Sequence, residues 1–206
     1  MTNRIYVYKC VYDEGGAPCV DGGRLSLTIC KPQIRLRAQI SDLIFAFGSN
    51  YETPANRLVY IARVTHRVAD GAYYRDSEFR KRGDCIYRRQ QDGIFIRRRD
   101  AIFHTTADHR ARDLGPAPIY PRAVALVSDD FRYFGGEGTG DWKAMAPHLR
   151  KVVEKLGQGH SVNHSVDVAG ELLAMADYVR RAYRRKINGR PLHGEQKHHG
   201  RCGPCC

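Results

Sequence analysis

Four short stretches of this chain hold side chains able to do chemistry. The densest is SDDFRYFGGEG, Ser128 to Gly138, in which two adjacent acids, three aromatic rings and three glycines follow the apolar run AVALV. Asp129 and Asp130 stand where a strand should end and a pocket rim begin. A carboxylate there can accept from a base edge or move a proton. Phe131, Tyr133 and Phe134 offer stacking faces for a base. Ser128 opens the stretch with a hydroxyl, and Gly135, Gly136 and Gly138 let backbone amides approach a ligand closely. The competing reading is a bulged hairpin whose rings are core and whose acids cap a turn.

The second stretch, QGHSVNH, places His160 and His164 four apart with Asn163 between them. Gly157 and Gly159 argue for a loop, in which His160 is a candidate general acid or base and Asn163 a reader of base edges. Capping of the following helix is the alternative. Third, Cys30 precedes Lys31 and is a nucleophile if its pKa is lowered; otherwise it is a half-buried strand cysteine. Fourth, Cys202 and Cys205 have the C-x-x-C spacing of zinc sites and redox pairs, with His198 and His199 nearby. Neither a four-ligand frame nor a thioredoxin-like context accompanies them, so no metal and no cofactor is expected. The sequence has no Walker loop, no G-x-G-x-x-G after a strand, no H-E-x-x-H, no G-x-S-x-G and no zinc-deaminase signature.

Charge narrows the partner. The 206 residues carry 34 Lys and Arg against 22 Asp and Glu, a net charge of +12, which calls for nucleic acid, a nucleotide or an acidic lipid. Arginine outnumbers lysine 26 to 8, a bias that suits bidentate phosphate contacts and that a GC-rich coding sequence would also produce. Residues 80–112 hold ten cations and four acids. With Lys31, Arg35 and Arg37 they would meet phosphate and make binding salt-dependent, unless the run is a merely solvated face. No apolar run approaches the roughly 20 residues of a membrane span, and MTNRIYVYKC lacks the apolar centre of a secretory signal. A cytoplasmic protein with reduced thiols and no membrane partner is expected.

These residues need a frame. RIYVYKCVY alternates as a strand, with Tyr6, Tyr8 and Cys10 on one face and Ile5, Val7 and Lys9 on the other. RLSLTIC, IRLRAQ, LIFAFG and RLVYIARVTHRV read as four more extended pieces before residue 70. Lys31-Pro32 ends the first of them. ADGAYYRDSEF suits a short helix, and CIYRR-QQDG-IFIRRR a hairpin turning at Asp92-Gly93. Residues 103–121 read as a long loop and AVALVS as the last strand. Leu149, Val152, Val153 and Leu156 behind Pro147 then predict one helix, and a Ser165 cap with Asp167 in its first turn predicts another. Residues 1–187 form a single domain on this reading. Residues 188–206 are a basic Gly/His/Cys tail, expected to be disordered when free.

Strands first and helices last is an α+β pattern. The basic KPQIRLRAQ segment and the SDLIFAFGS turn, ending at Ser49 and followed by RLVYIARVT, resemble the PUA-like superfamily that includes EVE and ASCH domains. The resemblance implies a curled antiparallel β-barrel, covered by the C-terminal helices, whose mouth takes a base or nucleotide. The chain also resembles the nucleotide modification associated domain 2 family of phages and bacteria. The likeness lies in YVYKCVYDEGGAP, LSLTICKPQIR, SDLIFAFGS with RLVYIARVT, and SDDFRYFGGEG with LGQGHSVNH, over roughly residues 4 to 165. It implies a part in modifying nucleic-acid bases beside other components of such a system, and it brings no catalytic residue. The function expected is therefore a base- or nucleotide-binding module. The alternative is an enzyme acting on a nucleotide or base through Asp129, Asp130 and His160.

Overall fold

A computed structural model describes residues 3–193. In chain order its elements are β1 (Ile5–Lys9), β2 (Cys19–Asp21), β3 (Arg24–Leu27), α1 (Pro32–Arg37), β4 (Leu43–Phe47), β5 (Leu58–Arg63), β6 (His66–Val68), β7 (Tyr87–Arg89) and β8 (Phe95–Arg97). There follow α2 (Ala107–Leu114), β9 (Ala125–Ser128), β10 (Asp130–Tyr133), α3 (Trp142–Met145), α4 (Pro147–Lys155), β11 (His160–Ser161) and α5 (Val166–Ala182). One sheet has the order β10-β5-β4-β1-β11 and a second β2-β3-β9-β6, while β7 and β8 form a separate hairpin. Every pairing is antiparallel except β1 with β4.

Period-two alternation builds the layers. Ile5, Val7, Leu43, Phe45 and Phe47 face α3, α4 and α5. Tyr6, Tyr8, Ile44 and Ala46 point the other way, into a core shared with Leu25, Leu27 and Leu126 of the second sheet. Behind that sheet Tyr73, Tyr74, Tyr87, Phe95 and Phe103 form a third, aromatic core under the hairpin. The two sheets join at a corner where β5 runs on into β6 and β9 into β10. Thr65 clamps it, its N–H donating to the Val127 carbonyl at 2.9 Å and its hydroxyl accepting from the Asp129 N–H at 2.9 Å.

The architecture is α+β, but the sheets are not closed, so the expected curled barrel is corrected to two open sheets joined at a corner. Part of the reason is IRLRAQ, which is no strand. Lys31 takes a left-handed conformation and Pro32 sits in the first turn of α1, and Ile34 and Ala38, four apart, are both buried in the core between the sheets. Helical spacing of the apolar pair prevails there. The expected long strand 57–68 breaks at the corner. Within 103–121 lies α2, opened by a capping box between Thr106 and His109. His160–Ser161 pairs with β1 rather than looping. The helix expected behind Pro147 is α4, and Ser165 caps α5 by accepting from the Val168 N–H.

The start of the tail is also structured. The Tyr133 N–H donates to the Lys186 carbonyl and the Asn188 N–H to the Tyr133 carbonyl, each at 2.8 Å, and the His193 N–H reaches Asp13 at 2.9 Å. β10 is a sheet edge whose backbone groups need partners, and residues 186–188 supply them. Asn188, Arg190 and His193 thus make backbone contacts with Tyr133, Gly136 and Asp13. His198, His199, Cys202, Cys205 and Cys206 lie outside the described residues. No helix among those described is long and apolar enough to cross a membrane.

Candidate functional site

Ser128–Gly138 forms the corner and the edge strand, and its aromatic rings are turned inward. Phe131, Tyr133 and Phe134 are 1, 2 and 6% exposed, so the expected stacking faces are core faces. Tyr133 donates its hydroxyl to Asp13 at 2.7 Å. Asp129 pairs with Arg24 at 3.1 Å and Asp130 with Arg63 and Arg180 at 3.2 and 3.0 Å. The Ser128 hydroxyl donates to the Asp130 carbonyl. A Cβ on Gly135 would lie 2.1 Å from the Arg190 carbonyl oxygen, and one on Gly136 would meet Leu192. These glycines admit the chain's own tail. Asp130 and His160 stand on opposite edges of the five-stranded sheet, four strand spacings or about 19 Å apart. Asp129, Asp130 and His160 thus do not make one acid-base site.

The remaining sequence candidates scatter. Arg35 is fully buried and donates to the carbonyls of Cys30, Arg122, Val124 and Asp113 at 2.7 to 2.9 Å. It is a brace, not a phosphate ligand, because its donors are spent on backbone. Ser49 turns a loop by accepting from the Tyr51 N–H. Arg37 and Asn163 are exposed. His160 is half-buried, and burial, with Arg37 and Lys31 adding to it, lowers its pKa below the usual imidazole value. In the basic run Arg82 is buried against Asp84 and the Cys19 and Asp21 carbonyls, whereas Arg80, Lys81, Arg88, Arg89 and Arg99 are exposed.

Lys31 leads to a different place. It lines an open cleft walled by Tyr8–Tyr12, the Ile29–Lys31 turn, Phe103, His104 and His109, with Gln158 at one side. The Lys31 ammonium lies 5.0 Å from the centre of the Tyr8 ring and donates to the Gln158 carbonyl at 3.1 Å. Lys9, 3% exposed, donates to Asn50 at 2.9 Å and to Asn56. Burial, with Lys143 second, lowers its pKa to about 8. Burial pushes the Tyr8 hydroxyl and the Cys10 thiol well up.

One wall holds an arrangement absent from the sequence expectations. Cys30 and Lys31 have φ of 57° and 40°, left-handed values that redirect the chain from β3 into α1. The Cys30 sulfur lies 3.3 Å from His104 Nε2. His104 Nδ1 lies 2.5 Å from Asp113 Oδ2. Asp113, 1% exposed, also accepts from the Tyr87 hydroxyl at 2.7 Å and, on its other oxygen, from the Cys30 N–H at 3.1 Å. His109 stacks on His104 with ring centres 4.5 Å apart and sits one turn before Asp113 on the buried face of α2. His104 has φ 52°, so thiol and imidazole alike sit on backbone that costs energy to hold. A cleft so lined can take a flat ring against Tyr12, 46% exposed on its wall, an anion at Lys31, and an electrophile at Cys30. Cys30-Lys31-Pro32 stood out in the sequence, but His104 and Asp113 follow 74 and 83 residues later in a segment with no apolar periodicity to mark its helix. Among the described residues no group of three or more His, Cys, Asp or Glu is placed to hold a metal.

The family model for nucleotide modification associated domain 2 matches residues 2–198, and the chain belongs to that family. No curated protein and no solved structure matches it.

Proposed function

We propose that the protein holds a nucleotide, or a base turned out of a nucleic acid, in the cleft between Tyr8 and His104, as one component of a base-modification system. The observation that carries this reading is the joint lining of that cleft by aromatic rings and the Lys31 ammonium, in a chain whose family has a nucleotide-modification context. Apolar walls with a few polar groups are what small-ligand sites use, and unstacked bases are held on exposed rings such as Tyr12. The exposed Arg88, Arg89 and Arg99 of the β7–β8 hairpin supply contacts to a polymer's phosphates, independent of sequence.

The experiment is a titration of the purified protein with a panel of nucleotides, modified bases included, and with single-stranded and duplex DNA, at two salt concentrations. One nucleotide class binds in a salt-tolerant way. Lys31→Ala weakens it about tenfold, the effect of losing one charge contact. Arg88→Ala with Arg89→Ala lowers only the polymer affinity and its salt slope. Uniformly weak binding that salt abolishes and Lys31→Ala leaves alone would sink the proposal and reduce the interaction to net charge.

A further inference from the structure

We infer that Cys30 is the nucleophile of an acyl-transfer step, with His104 as its base and Asp113 as the residue that positions His104. The inference rests on convergence of three residues from distant segments. Sulfur to Nε2 is 3.3 Å and Nδ1 to Oδ2 is 2.5 Å, the nucleophile–base–orienter order of covalent catalysis. A carboxylate accepts, so the Nδ1 proton points at Asp113 and the Nε2 lone pair faces the sulfur. Asp113 is itself fixed by Tyr87 and by the Cys30 backbone, so one carboxylate locks the base and the nucleophile's turn together. All of this opens on the cleft, which both Cys30 and His104 line.

The substrate class is a carboxylic-acid ester or amide, and its attachment to a nucleotide or base rests on the reading above. His104 takes the thiol proton as the sulfur adds to the acyl carbon and the carbonyl electrons move to oxygen. Lys31, on the same turn, is placed to balance that charge. Collapse re-forms the carbonyl and breaks the bond to the leaving alcohol or amine, which receives the proton from the imidazolium. The resulting Cys30 thioester is then attacked by water, or by the amino group of a base, which His104 deprotonates. The acid or amide departs and the thiol regains its proton. No electrons are gained or lost and no oxidant is required.

The test uses the full chain and p-nitrophenyl acetate, following p-nitrophenolate release and locating the acetyl group by peptide mass spectrometry. In the wild type the group is expected on Cys30, ahead of the six other cysteines. His104→Gln slows acetylation at pH 7 by 100-fold or more, the usual worth of a positioned base, and Asp113→Asn slows it less and shifts its pH profile upward. Nucleotide binding by Cys30→Ser is measured beside it. If that variant still binds nucleotide while Cys30 of the wild type acetylates no faster than the tail cysteines, the inference falls and the binding reading survives. If Cys30 acetylates through His104 and no nucleotide binds, the chemistry stands without that substrate. Equal rates in the wild type and a folded His104→Gln also overturn the inference. Should His104→Gln fail to fold, the wild-type pH profile decides. A rate already level near pH 7 indicates a thiol activated by its imidazole, and a tenfold rise per pH unit up to pH 8.5 indicates an ordinary one.

Discussion

Ser128–Gly138 and the Cys30–Asp113 wall are opposite cases of the same physics. The first packs acids, rings and glycines into eleven consecutive residues, and the fold consumes nearly all of them. Its rings fill two cores, its acids pair with arginines across the corner, and two of its three glycines receive the tail. The second is assembled from single residues of three segments that have little in common as sequence, and it faces a cleft. Residue density along the chain therefore says little about a site, whereas convergence on a solvent-facing surface says much. An aromatic after a strand is first of all a large apolar area, worth several kcal/mol if buried, and a ligand must compete with that.

The comparison can be broken at either end. The largest effect is expected from Arg35→Ala, which strips donors from four buried carbonyls beneath the cysteine turn. A loss on the order of 5 kcal/mol is expected from unsatisfied buried groups and the cavity together, read as a drop in denaturant midpoint, with cleft affinity lost as well. Phe131→Ala should cost about 4 kcal/mol, and the protein that remains folded should bind cleft ligand as before. Loss of ligand binding without loss of stability would return Ser128–Gly138 to the site.

Two smaller effects sharpen the contrast. In the fold the Lys9 ammonium has a pKa near 8 against an ordinary 10.5. Between those values the unfolded chain binds more protons, so stability rises with pH. The buried thiols of Cys10, Cys19 and Cys85 have raised pKa values and work in the opposite direction above pH 9, so the test is a difference. The stability of the wild type minus that of Lys9→Met should rise by about 1 kcal/mol from pH 8 to 9, and a flat difference would show that Lys9 holds its ordinary pKa. Asp130→Asn comes last. Its carboxylate is 37% exposed, and pairs open to water are worth about 1 kcal/mol or less. A cost of several kcal/mol would make the corner an electrostatic lock rather than a packed one.

Much of the frame was legible because it is local. Alternation in β1 sorted Ile5 and Val7 from Tyr6 and Tyr8, and the spacing behind Pro147 and the cap at Ser165 marked α4 and α5. What escaped had its signal elsewhere. The arginines of α1 obscured the Ile34–Ala38 pair, α2 is polar on most faces, and the strand 57–68 changes sheets without changing its pattern. The site was least legible, since no spacing rule joins Cys30 to His104. Their meeting depends on the aromatic third core, which folds the 103–114 segment back under the second sheet.

The docking of residues 186–188 along β10 bears on how this protein must be handled. A bare edge strand is a template on which another copy can add its own strand, and here the chain covers that edge itself. Trimming at Arg184 to remove a basic, cysteine-bearing end would uncover a sticky ladder beside Tyr133. The shortened protein would be expected to precipitate, or to form ribbons of paired molecules, at concentrations where the full chain stays clear.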